Sequence, residues 1–346
     1  MRNFKNPRLQ RCGLLEMRTV RHKRRLLAQL RVAYQRGGMP AFQEVHLAAL
    51  RQHWTYRTMW RLVDFASPAS SLLTLASDFD RRIGEVGLSA AADAMIKILP
   101  FSWEMRLPGK EAEILSTAPL LIYGNHPSML TPFLIAAAVN RPDLRIIALS
   151  YVGKLIPNLE AYLFPLQASQ RRTLRGRSRS GMTHALSLSL IYHLDGQLNS
   201  EVARDQNHAT LSKAARHVLG GGAAVIFPGG GGKETRGWFP GIGVIAANLA
   251  QAAGSDTIYL VPVKVSNSSN SRVYSTLSEN PLSRIRRRLL YRHPIQLTVE
   301  KPIPLVSLIK GRNHSPQFLA SLLQNHYETQ FRQCSQATHD GRLLFS

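Results

Sequence analysis

The chain has 346 residues, enough to bury a sizeable core, and length alone predicts about two domains. Its 44 Lys+Arg against 21 Asp+Glu leave a net charge of +23, which implies an anionic partner: a membrane surface, a nucleic acid, an acidic carrier protein or a phosphorylated substrate. Two cysteines, Cys12 and Cys334, exclude a disulfide framework and a cysteine metal site, so a reducing compartment is the default.

The N-terminal stretch lacks the apolar core of a secretory signal. It is Arg-rich and acid-poor like a transit peptide, but no serine precedes Ser67, which argues against that. Residues 1–36 carry eleven Lys or Arg and one acid, Glu16. From Leu14 to Tyr34 apolar residues recur at helical spacing (Leu15, Val20, Leu26, Leu27, Leu30, Ala33 and Tyr34). The helix is either a solvated basic helix or an interfacial one lying on anionic lipid. Gly37-Gly38 and Pro40 are expected to end it. Helices are predicted over 42–63, 70–76 and 83–99, which makes residues 1–98 a basic helical region. Trp54, Tyr56 and Trp60 lie among arginines, as a membrane-facing belt or a packing face; packing is the preferred reading.

From residue 99 to 335 strands alternate with helices. Strands are predicted at 103–107, 120–123, 144–149, 223–227, 259–265 and 295–299. Helices are predicted at 133–139, 152–164 (broken near Pro157), 182–192, 209–218, 242–253 and 315–333. The result is an α/β fold with a mixed, largely parallel sheet flanked by helices. Residues 266–271 read as a polar linker, residues 284–292 as a basic patch and residues 336–346 as a tail. No run of about 18 apolar residues occurs, so no transmembrane helix is expected.

The stretch Leu120–Phe133 organises the rest. Leu120 to Tyr123 suit a strand covered on both faces, and Gly124 and Asn125 end it. Thr131-Pro132 reads as an N-cap followed by proline at the first helical position. His126 thereby falls at the carboxyl end of a strand, where open α/β sheets bind ligands. It is a loop histidine bonded to its own turn or a general base for a hydroxyl nucleophile; the downstream segments favour the base. Pro228-Gly229-Gly230-Gly231-Gly232-Lys233-Glu234-Thr235-Arg236 is a glycine loop, not a Walker loop, because Glu234 follows Lys233. It is a flexible turn or an anion site built from backbone N–H groups with Lys233 and Arg236; the anion site is the favoured reading. The histidines His184, His193, His208 and His217 lack metal-ligand spacing, so no metal is assigned.

From about residue 101 to 330 these segments resemble, in order and spacing, the glycerolipid acyltransferases, which include the lysophosphatidic acid and glycerol-3-phosphate acyltransferases. Asn125-His126-Pro127-Ser128-Met129-Leu130-Thr131-Pro132 matches the family's Asn-His-x4-Asp motif except that Thr131 replaces the acid. Phe164-Pro165-Leu166 followed by Arg171 or Arg172 loosely matches the block ending in a phosphate-binding arginine. Phe227-Pro228-Gly229-Gly230 lacks the glutamate of Phe-Pro-Glu-Gly, while Glu234-Thr235-Arg236 and Phe239-Pro240-Gly241 follow. Leu260-Val261-Pro262-Val263 matches the Val-Pro-Val strand.

The resemblance implies transfer of a fatty acyl group from acyl-CoA or acyl-carrier protein to a hydroxyl of a glycerophosphate or lysophospholipid, with His126 as general base. No cofactor beyond the donor substrate is implied. Asn125, Ser128, Thr131, Arg171, Arg172, Gly229, Gly230, Lys233 and Arg236 would bind substrate. In the family the acid orients the histidine, as in a serine-protease triad, and neutralising a triad acid costs about 10⁴ in rate. Glu234 is the candidate substitute for that charge, or it simply pairs with Arg236; Asp143 and Asp195 are less well placed. The expected setting is cytoplasmic, peripheral on the inner face of a membrane. The competing reading is a catalytically impaired homologue that binds anionic lipid or an acidic partner. Nucleic acid is not the expected partner, since charge alone argues for it.

Overall fold

The computed structural model describes residues 7–66, 68–107, 109, 112–168, 198–230, 237–252, 257–278, 280–312 and 314–340. The chain starts with helix α1 (Pro7–Gln52), which breaks at Gly37–Gly38 where Gly38 takes φ +63°. Pro40 falls at the start of the segment after the break and does not end the helical run. Leu26, Leu30 and Tyr34, spaced by four, are buried with Phe42, Ala49 and Tyr56. Those three members of the predicted stripe therefore face protein, while Leu27 is exposed. Helix α2 (Trp54–Ala66) packs through Tyr56 and Trp60, whose rings surround His46. Trp54 stays exposed.

Helix α3 (Ala69–Val86) runs ten residues beyond its expected end. Gly87, at φ +81°, separates it from α4 (Leu88–Ile98). Strand β1 (Trp103–Arg106) and the short helix α5 (Ala112–Thr117) lead to β2 (Leu120–Gly124), every residue of which is buried. Helix α6 (Thr131–Val139), β3 (Leu144–Leu149), α7 (Tyr151–Leu155), a 3₁₀ turn (Pro157–Tyr162) and β4 (Leu163–Leu166) follow. β4 is a strand where a helix was expected; it is an edge strand, a place where a sheet tolerates a residue like Pro165. The remaining elements are α8 (Ser200–Leu219), β5 (Ala223–Ile226), α9 (Gly241–Ala250), β6 (Tyr259–Ser266), α10 (Asn270–Leu277), α11 (Pro281–Leu290), β7 (Ile295–Val299), β8 (Ile303–Pro304), α12 (Leu305–Ile309) and α13 (Pro316–Asp340). Of the expected linker at 266–271, residues 267–269 are a loop, Ser266 ends β6 and residues 270–271 begin α10; the basic patch falls mostly in α11.

The sheet order is β1-β7-β6-β2-β5-β3-β4, with β8 pairing β6. β6, β2, β5, β3 and β4 are mutually parallel, β7 and β8 run antiparallel to β6, and β1 is parallel to β7. The fold is α/β with a mixed, mostly parallel sheet flanked by helices. Alternate strand residues divide between two cores. Leu120, Ile122, Val225 and Val263 face α3, α4 and α6. Leu121, Tyr123, Ala224 and Leu260 face α8, α9 and α13. The N-terminal helices α3 and α4 are therefore part of the core against the sheet. Among the described residues no helix is long and apolar enough to cross a membrane.

Candidate functional site

β2 and β5 are neighbours, yet the helices that leave them lie on opposite faces: α6 on one, α9 on the other. A parallel sheet opens a crevice beyond the carboxyl ends of such a strand pair, because the two connections diverge. Residues 125–130 leave β2 into this crevice and residues 227–230 leave β5 into it.

The approach to the crevice is held rigidly. A Cβ on Gly124 would sit 2.0 Å from the Val263 carbonyl oxygen, so only glycine lets β2 and β6 stay paired there. Asn125 extends that pairing with its side chain: Nδ2 donates to the Val265 carbonyl at 2.9 Å and Oδ1 accepts from the Val265 N–H at 2.8 Å. His126 follows, half-buried, with Nδ1 turned inward. Its ring stacks on Phe227, centroids 4.6 Å apart and planes inclined by 22°. The histidine and the first residue after β5 are therefore in direct contact.

The turn continues through Ser128, whose hydroxyl meets that of Ser268 at 2.7 Å, and Met129, whose N–H donates to Asn270 Oδ1 at 2.8 Å. The loop between β6 and α10 thus forms the second wall. Thr131 is fully buried; it is the first helical residue and not the N-cap, which is Leu130. Its Oγ1 accepts from the Ser128 N–H at 3.4 Å, so the hydroxyl braces the turn from inside the helix.

On the β5 side the Gly230 N–H donates to the Phe227 carbonyl at 3.0 Å, a tight turn with Gly230 at φ +64°. The Phe239 N–H donates to the Pro228 carbonyl at 3.0 Å, so the chain departs and returns at one point. Trp238 closes the base. Its N–H donates to Gln324 Oε1 at 2.9 Å, and its ring lies edge-on to Tyr123 and against Tyr327. Tyr123 and His326 meet at 2.9 Å between hydroxyl and Nδ1. Burial, and then Tyr327, push the Tyr123 hydroxyl above the ordinary phenol range, so it remains protonated.

The structure brings together Asn125, His126, Ser128, Thr131, Gly229 and Gly230 of the predicted site residues. Arg171, Arg172, Lys233, Glu234 and Arg236 lie outside the described residues, as do Asp195 and the helix expected at 182–192. The end of β4 does point to the same edge: Gln167 is held to α8 by a pair of bonds with Asn207. Asp143 sits at the amino end of β3, on the opposite edge of the sheet, paired with Arg141 at 2.6 Å. It is no substitute acid for His126. Among the described residues no cluster of His, Cys, Asp or Glu could hold a metal ion.

The residues sequence reasoning missed are Ser268 and Asn270 on the second wall, and Trp238, Gln324 and His326 at the base. The first pair had a readable signal: Ser269 caps α10 by accepting from the Arg272 N–H at 3.1 Å, the usual serine signature of a helix start. The base residues had none: Gln324 and His326 come from a helix about 200 residues downstream of β2, and Trp238 from the loop before α9. No protein-family model matches the chain, and no curated protein or solved structure matches it.

Proposed function

We propose that this protein transfers a fatty acyl group from the thioester of acyl-CoA or acyl-carrier protein to a hydroxyl of a glycerophosphate or lysophospholipid. The single observation that carries the reading is the contact between His126 and Phe227 across the β2–β5 crevice. It joins the two segments the resemblance singled out, at the edge where such sheets do chemistry. In the proposed reaction His126 takes the acceptor's hydroxyl proton as the oxygen attacks the thioester carbonyl. The C–O bond forms, the C–S bond breaks, and the imidazolium returns the proton to the leaving thiolate. The Gly229 N–H is the donor we assign to the oxygen that becomes negative. Arg171, Arg172, Lys233 and Arg236 are the proposed cations for the acceptor's phosphate, with Glu234 as the proposed orienting acid. The net charge of +23 suits both anionic donors and an anionic membrane surface.

One observation favours a second reading, a catalytically impaired protein that binds anionic lipid or an acidic partner. The position matching the motif acid is a neutral, fully buried Thr131 whose hydroxyl already serves the Ser128 N–H. The test is acyl transfer followed by mass spectrometry, with acyl-CoA and acyl-carrier protein as donors and glycerol-3-phosphate and lysophosphatidate as acceptors. Wild type and His126→Ala run side by side. Transfer by wild type that disappears in the variant is the expected result. Equal product from both, or none from wild type, overturns the enzyme reading in favour of the second.

A further inference from the structure

Two helices outside the sheet leave apolar side chains in water. On α2, Trp54, Leu62 and Phe65 fall within one helical face, at spacings of eight and three. On α11, Ile285 and Leu289 are one turn apart, with Leu290 beside them. Their exposures run from 55% at Ile285 to 74% at Trp54. Scattered exposed leucines need no explanation, but a contiguous apolar patch does. These two helices meet end to end: Asn280, just before α11, donates from Nδ2 to the Phe65 carbonyl at 3.3 Å. Phe65 is itself 64% exposed at that junction.

The charges around the patch are of one sign. Around it α2 and α11 place Arg57, Arg61, Arg284, Arg287 and Arg288, with the acid Asp64. Asp64 is turned into the α2–α3 corner, where Oδ1 accepts from the Ser70 N–H at 2.8 Å. Arg57 donates to the carbonyls of Leu50 and Arg51. Apolar side chains rimmed by arginines match the interface of an anionic bilayer, with rings and aliphatic groups in the acyl boundary and guanidinium groups among the phosphates. The patch is also near the candidate site. α10 begins at Asn270, which holds Met129, and its eight residues span about 12 Å before the turn into α11. Arg287 ties α11 back to α10 through the Thr276 carbonyl at 3.1 Å.

We propose that α2 and α11 together form the face on which this protein sits on a bilayer containing anionic lipid. The expected N-terminal contact is thereby placed on α2 and extended to α11, which follows α10 from the second wall of the crevice. The inference rests on the membrane-surface part of the reading above and not on its chemistry.

Flotation of the full-length protein with phosphatidylcholine vesicles, with and without phosphatidylglycerol, tests it. Wild type is expected to float only with the anionic vesicles. The triple variant Leu62→Glu/Phe65→Glu/Leu289→Glu, at exposed positions that leave the fold intact by circular dichroism, is expected to lose more than about tenfold in partitioning. Arg284→Gln and Arg288→Gln are expected to cost about fivefold each, the equivalent of ~1 kcal/mol per basic residue at a lipid surface. Leu27→Glu, exposed on α1, is expected to float like wild type. His126→Ala is also expected to float like wild type, so loss of the enzyme reading leaves this result standing. Failure of wild type to float, flotation of the triple variant, or a dimer that the triple variant dissociates overturns the proposal. The last outcome would make this face a contact between two copies of the chain.

Discussion

The side-chain amide of Asn125 pairs with the backbone of Val265 through both its polar atoms, at 2.9 and 2.8 Å. A residue beyond the end of one strand thereby imitates one more rung of a ladder. Asn125→Ala leaves the N–H and carbonyl of Val265 without these partners, at a cost of about 1–3 kcal/mol. Asn125→Asp keeps the acceptor but sets a carboxylate against the Val265 carbonyl. We expect it to be less stable than Asn125→Ala at neutral pH, and urea titration of the two variants checks the order.

Phe227 supports the imidazole of His126 by its face, a contact of the kind worth about 0.5–1.5 kcal/mol. Under the proposed function, Phe227→Leu is expected to lower kcat/KM by roughly twofold to tenfold, that energy expressed as a rate. In the His126→Ala background the same substitution is expected to change nothing further. An added loss there would place the effect of Phe227 elsewhere than on the histidine.

Asp143 and Arg141 form a staple at the amino edge of the sheet. The Arg141 side chain is almost fully buried and donates to Asp143 through Nε and Nη2, and to the carbonyls of Ala118 and Gly221. The hydrogen bond from Arg141 holds the Asp143 carboxyl below its ordinary range. A depressed carboxylate contributes stability above its unfolded value near pH 4, and that contribution is lost as pH falls through the folded value. Asp143→Asn is therefore expected to cost about 2–3 kcal/mol at pH 7, chiefly by leaving the buried guanidinium unpaired. The gap from wild type is expected to narrow below pH 4, as denaturation curves at several pH values will show.

His326 and His46 are both held below the ordinary imidazole value of 6.5 by burial. The folded protein keeps them neutral, while the unfolded chain takes up protons below about pH 6.5. Stability is thus expected to decline as pH falls from that value, until the folded imidazoles themselves protonate. His326→Gln is expected to flatten part of that slope. Since His326 holds Tyr123 beneath Trp238, it is also expected to change the Trp238 fluorescence. An unchanged pH slope would contradict a neutral buried imidazole.

Much of the architecture was legible because buried parallel strands announce themselves. Leu120–Tyr123, Leu144–Leu149 and Tyr259–Val265 are largely apolar runs, and each is a strand. β4 was not legible: four residues containing proline give no period. α10 was missed because its first residues, Asn270 and Ser271, read as linker although Ser269 caps the helix. In the site, His126 was found by its place between strand and helix. Its support by Phe227, and the second wall at Ser268 and Asn270, depend on which strands become neighbours. Strand order is decided by packing across the whole sheet, and no local window contains it. The apolar stripe of α1 shows the converse. Its helical period was right, but a period cannot say whether a face meets lipid or protein, and Leu26, Leu30 and Tyr34 meet protein.

β2 pairs with β5 and β6, whose partner residues lie about 100 and about 140 positions downstream of Leu120. During synthesis the segment Leu-Leu-Ile-Tyr leaves the ribosome long before either neighbour exists. It is short, apolar and rich in strand-forming residues, the profile of a segment that joins other chains when left unpaired. Refolding is expected to be slow and sensitive to protein concentration, with the crevice assembled last. An apolar, uncharged centre for the sheet thus leaves the nascent chain dependent on protection until residue 263 has emerged.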